Sequence, residues 1–104
     1  MKALLSAVAV AAFALTSGAA FADADAVLNK SGCMACHAKD KKLVGPAFKD
    51  IAAKYKGQDV SAKLFDKVRK GGSGSFGPIP MSPNGPDKIA DPDLKEAIAA
   101  ILKS

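Results

Sequence analysis

Cys33-Met34-Ala35-Cys36-His37 constrains this chain more than any other stretch: two thiols three residues apart, followed at once by the only histidine in the sequence. Cys-x-x-Cys-His is the signature of covalent c-type haem attachment. Residues i and i+3 share one face of a helical turn, so both sulfurs reach the vinyl groups of a single porphyrin. His37 then points at the iron from the same side. The expected cofactor is one covalently bound haem c, with Cys33 and Cys36 as thioether links and His37 as an axial iron ligand. A Cys-x-x-Cys thiol oxidoreductase is the competing reading, but the strand context and reactive leading cysteine that it needs are missing.

The N-terminus reads as an address rather than as fold. Lys2 supplies a positive start, Ala3 to Leu15 is almost wholly apolar, and Ala20-Phe21-Ala22 is an A-x-A-like cleavage site. Residues 1–22 are therefore expected to be a secretory signal peptide, and residues 23–104 one domain in the periplasm. The apolar run, broken by Thr16-Ser17-Gly18, is shorter than the roughly 20 residues that span a bilayer. A domain this small rarely stabilises itself on its core alone. Both cysteines are committed to the motif, so no disulfide is left to help, and folding should depend on the macrocycle.

The remaining chain reads as short helices with no strand pattern. The first is expected over Asp25 to Cys36, capped by Asp25, with Val27 and Leu28 on its apolar side and Gly32 leaving room for a close neighbour. Phe48, Ile51, Ala52 and Tyr55 mark a second, ended by Gly57. A third starts near Asp59 as cap and runs through Val60, Leu64, Phe65 and Val68 to Gly71-Gly72. The last opens at Asp91 as cap with Pro92 at its first position, and buries Leu94, Ile98, Ile101 and Leu102. Between them, residues 71–86 hold four prolines and five glycines in sixteen positions, which excludes helix and central strand. A plain linker need not carry Phe76, Ile79 and Met81; prolines on both sides of Met81 stiffen the chain around one side chain.

What fills the second axial position decides between electron transfer and catalysis. There is no second histidine, Met1 leaves with the signal peptide, and Met34 sits between the attachment cysteines on the histidine side of the ring. Met81 is the soft, neutral ligand that remains; the alternative is that it merely fills core space. His/Met ligation closes the coordination sphere, and a thioether favours the ferrous state. An axial histidine usually gives its second ring N–H to a backbone carbonyl, for which Pro46 in the turn Leu43-Val44-Gly45-Pro46 is a suitable acceptor.

With both motifs in view, residues 23–104 closely resemble the small bacterial class I cytochromes c, short monohaem periplasmic carriers. The resemblance rests on Cys33 to His37, then Val44-Gly45-Pro46-Ala47, then Gly77-Pro78-Ile79-Pro80-Met81 with Pro83-Asn84, in the family's order and spacing. It implies an all-α fold of four to five short helices wrapped around one haem, the first and last crossing near Gly32. It implies that the Pro46 carbonyl receives the His37 ring N–H and that the Asn84 side chain orients the Met81 sulfur. Members commonly carry tryptophan where this chain has Phe76, and Lys67 falls where members place a basic residue near a haem propionate.

These readings point to a non-enzymatic electron carrier passing single electrons from a quinol-oxidising complex to a nitrite reductase or terminal oxidase. The alternative is a haem peroxidase or gas-binding sensor with a labile Met81. With 15 basic against 10 acidic residues the formal net charge is +5. The basic residues are spread out with few aromatics between them, which disfavours a nucleic-acid surface. Solvated helix faces explain most of them; Lys39, Lys41, Lys42, Lys49, Lys70 and Lys88 are candidates for steering acidic redox partners. A monomer is expected.

Overall fold

The protein is described by a computed structural model, which covers residues 19–104. Four helices follow in order: α1 (Ala19–Lys30), α2 (Phe48–Lys54), α3 (Ser61–Lys70) and α4 (Asp91–Leu102), with a single 3-10 turn at Cys33–Ala35 between the first two. The fold is all-α; the isolated bridges are His37 with Lys42 and Gly72 with Met81. No helix among the described residues is long and apolar enough to cross a membrane. Most of the expected signal peptide lies outside the described residues, and the cleavage expected after Ala22 falls in the first turn of α1.

The first helix lies earlier in the chain than expected, beginning at Ala19 rather than Asp25 and ending before the cysteines. It stops at Lys30, and Gly32, at φ 81°, turns the chain into the separate 3-10 turn that carries the cysteines. That left-handed backbone is what glycine supplies here. A Cβ on Gly32 would meet nothing closer than the Lys88 side chain at 3.8 Å, so close packing is not its reason. Asp25 lies inside α1 rather than at its cap, and its carboxylate pairs with Lys39 at 3.1 Å.

The other two expected caps each move by one position. Val60 precedes α3 in place of Asp59, and Ala90 precedes α4 in place of Asp91; neither end carries a side-chain cap bond. Asp91 and Asp93 instead place negative charge in the first turn of α4, where the helix dipole favours it. Gly71, at φ 72°, ends α3 as expected.

Helix α4 is the hub, packing against α1, α2 and α3. Its Ala97 joins Leu28 and Phe48 in one core cluster, and its Leu94 and Ile98 join Ile89 in another, with Val27 packed against both. Burying each large aliphatic side chain contributes about 1.5–3 kcal/mol. Leu94 and Ile98 are buried as the stripe predicts, and Ala97 is buried with them, whereas Ile101 and Leu102 are only half-buried. Leu64, Val68, Ile98 and Ile101 have a second task, since each also lines the cavity described next.

Candidate haem site

The helices and the 71–86 loop enclose a cavity of about 480 Å³ whose walls include Cys33, Cys36, His37, Pro46, Phe76 and Met81. That is within the usual range for a cofactor pocket. The 3-10 turn and the turn just after it thus meet the proline-rich loop, which lies some 30 residues further on, at one surface. Apolar walls from α2, α3 and α4 complete it, through Ile51, Leu64, Val68, Ile98 and Ile101.

His37 is held on three sides. Its Nδ1–H donates to the Pro46 carbonyl at 2.8 Å, leaving the other ring nitrogen with its lone pair. Phe48 stacks on the ring at 5.4 Å between centroids and an interplanar angle of 23°. Gly45 presses from the remaining side: a Cβ there would stand 2.5 Å from His37 Cε1 and 2.9 Å from Nδ1. The turn that brings Gly45 and Pro46 into place is closed by Gly45 N–H to Cys36 O at 2.7 Å and Phe48 N–H to Ala38 O at 2.9 Å. Cys36 is exposed and Cys33 half-buried. Burial pushes the Cys33 thiol above its ordinary pKa, against a smaller pull from Lys88, so it is a protonated thiol at neutral pH.

The Met81 loop is fixed to the end of α3. Gly72 and Met81 exchange two backbone hydrogen bonds, 2.9 and 2.8 Å long. Gly71 makes that approach possible, because a Cβ on it would collide with Met81 O and lie 2.9 Å from Pro83 N. Asn84 fastens the far side: its N–H donates to Val68 O at 2.9 Å, and its amide Nδ2 donates to Val68 O and Ser82 O at 3.3 and 2.9 Å. Both acceptors are backbone carbonyls, so the side chain fastens the stretch that follows Met81 to the end of α3.

Phe76 lines the cavity edge, 38% exposed, with Tyr55 edge-on at 6.4 Å. Lys54 stands over the Phe76 ring at 4.4 Å and donates to Ser75 O. No sequence signal singled out Lys54; a lysine near the end of an amphipathic helix reads as solvated, and only the tertiary fold brings it to the loop. Lys67 lines the cavity near Gly72, and Lys42 and Lys88 reach its walls too. The steering candidates divide here. Lys39 pairs with Asp25 and Lys70 with Asp66, whereas Lys41, Lys42, Lys49 and Lys88 have no carboxylate within 4.0 Å among the described residues.

The donor set fits the predicted group. Two thiols, one imidazole and one thioether converge on an apolar cavity, and the imidazole already makes the backbone bond that orients a metal ligand. Comparison with known proteins agrees. The family model for cytochrome c matches residues 21–104. The chain is similar to cytochrome c-551 of Pseudomonas aeruginosa, 48% identical over 71 residues that cover 67% of this chain and 68% of that one. It is also similar to cytochrome c-552 of Nitrosomonas europaea, 47% identical over 89 residues, 85% of this chain and 84% of that one. The crystal structure of Nitrosomonas europaea cytochrome c552 superposes with a TM-score of 0.69 at 42% identity, covering 76% of this chain and 96% of that one.

Proposed function

The chain belongs to the cytochrome c family, electron-transfer proteins with covalently attached haem c, and on that premise we propose that it is a His37/Met81-ligated periplasmic electron carrier rather than an enzyme. The observation that carries the reading is the convergence of Cys33, Cys36, His37 and Met81 on one apolar cavity, with His37 already bonded to Pro46. When bound, haem c supplies a one-electron Fe(III)/Fe(II) couple.

The chain's own residues set the conditions for that couple. Cys33 and Cys36 tether the group, and the tether makes its dissociation immaterial. The Pro46 carbonyl fixes the His37 tautomer and makes the imidazole a stronger donor. Met81, whose backbone is held by Gly72, would supply a thioether as the second iron ligand. Ile51, Leu64, Val68, Ile98 and Ile101 keep water from the site, which disfavours extra charge and raises the potential along with the thioether. Phe76 packs the edge without the hydrogen-bond donor of a tryptophan, and Lys67 and Lys54 supply positive charge nearby. Asp23 is the expected start of the mature domain. Lys41, Lys42, Lys49 and Lys88 present unpaired positive charge toward an acidic redox partner such as a quinol-oxidising complex, a nitrite reductase or a terminal oxidase.

Met81→Ala tests the reading. The wild-type holoprotein should show the iron–thioether charge-transfer band in its ferric spectrum, resist exogenous ligands and titrate as one reversible one-electron couple. The variant should lose the band, bind small ligands at once and titrate at a lower potential. A wild-type protein that behaves like the variant returns the open-site, peroxidase or sensor, reading.

A further inference from the structure

The 15 basic residues of the chain include a single arginine, Arg69, and it is the one whose position is most specific. Its side chain is 13% exposed although it lies in the last turn of a surface helix. One guanidinium nitrogen donates to Asn84 O at 3.1 Å and to Ile89 O at 2.8 Å; the other pairs with Asp91. The Phe65 ring lies against it, 5.0 Å from the guanidinium carbon to the centroid. All three acceptors belong to the stretch that runs from the end of the Met81 loop to the first residue of α4. A planar fork of donors suits such a cluster, and a lysine ammonium, a point charge on a flexible stem, does not reproduce it.

We propose that Arg69 is a positioning residue for the sixth iron ligand: it latches residues 84–91 to α3 and so governs how often the loop carrying Met81 swings open. The inference rests on the ligation by Met81 proposed above and extends it to a side chain outside the cavity walls. The loop has two fastenings on α3 and the residues just after it. Gly72 holds Met81 itself, through backbone bonds that fail as soon as the loop moves. Arg69 and the Val68 carbonyl hold the return strand of the loop, and of these the guanidinium spans the longer stretch. Opening therefore requires charge-assisted bonds to break together.

A latch predicts local opening, distinct from global unfolding. The ferric holoprotein is mixed with imidazole at concentrations that make ligand entry zero order, so that the limiting rate reports loop opening. Arg69→Lys should raise that rate by about tenfold, the factor expected for the net loss of one hydrogen bond to a charged group. Asp91→Asn, which removes only the exposed partner, should raise it by less, up to about fivefold. Val60→Ala, at the opposite end of α3, lowers global stability and should leave the rate unchanged. A wild-type rate in Arg69→Lys, with the limiting step abolished in Met81→Ala, overturns the latch and leaves Met81 as ligand. An equal acceleration in Val60→Ala overturns it too, because the effect would then be global. A wild-type protein already indistinguishable from Met81→Ala refutes the ligation instead.

Discussion

Gly45→Ala should disturb His37 without touching the haem-binding cysteines, and the structure allows its size to be worked out. The added Cβ would stand 2.5 Å from His37 Cε1, 2.9 Å from Nδ1 and 3.0 Å from Nε2. Carbon atoms in contact settle at about 3.5 Å, so the ring must withdraw by roughly 1 Å. Phe48, stacked on the ring at 5.4 Å, closes off an easy retreat. A 1 Å displacement stretches the 2.8 Å bond to Pro46 O beyond hydrogen-bonding range. Overpacking costs about 1–3 kcal/mol and the lost bond about 1 kcal/mol more. The sum, ~2–4 kcal/mol, lowers the unfolding midpoint of a domain of this size by about 10 °C or more. Thermal unfolding of the holoprotein measures it. The same variant should raise the reduction potential, because an imidazole that no longer donates to Pro46 is a weaker donor to ferric iron. An unfolding free energy within ~0.5 kcal/mol of wild type together with an unchanged potential would refute the cradle.

Gly57→Ala provides the contrast: nothing lies within 4 Å of its Cβ, but its φ of 78° costs a side chain about 1–2 kcal/mol. Stability should fall by that amount in denaturant titration while the potential stays put. Lys54→Met removes the cation over Phe76 and the bond to Ser75 O, which should increase hydrogen exchange at Ser75 to Gly77 and leave the helices protected. Electron exchange with an acidic partner should slow as salt rises through ~0.1 M, where the Debye length is about 10 Å. Lys42→Gln should flatten that dependence more than Lys70→Gln, since Lys70 is already paired with Asp66 at 3.0 Å; equal slopes would remove Lys42 from the docking face.

Sequence made legible whatever depends on neighbours in the chain. Cys33, Cys36 and His37 are neighbours, and the apolar stripes of α2, α3 and α4 repeat within each helix, so these three helices fall where expected, whereas α1 ends at Lys30 and the cysteines sit on a separate turn. The caps were not legible, and two of the three aspartates expected to make them have remote partners instead. Asp91 answers to Arg69, 22 residues away, and Asp25 to Lys39, 14 away. Gly45 and Gly71 looked like turn residues; their further task is to admit an imidazole and a strand of backbone, which only the fold brings near. Asn84 is the subtler case. Its amide donates to Val68 O, 16 residues away, a partner that only the fold brings near.

On the His37/Met81 ligation proposed above, the two ligands are held in opposite ways, and this decides where mutations will be felt. Every restraint on His37 lies between Cys33 and Phe48, one short stretch closed by its own backbone bonds. Most of that unit forms from neighbours in the chain, with Phe48 anchored in addition by the core cluster of Leu28 and Ala97. Met81 depends on prolines in its own loop for stiffness, but on Val68, Arg69, Gly71 and Gly72 for its position. Those residues sit at the end of α3, whose packing in turn depends on Phe65 and Val68 against the α4 cluster. Damage to α3 or to its contact with α4 therefore propagates to the methionine side and leaves the histidine side alone. The potential, which depends on the thioether staying bound, is thus coupled to a helix that contributes neither axial ligand.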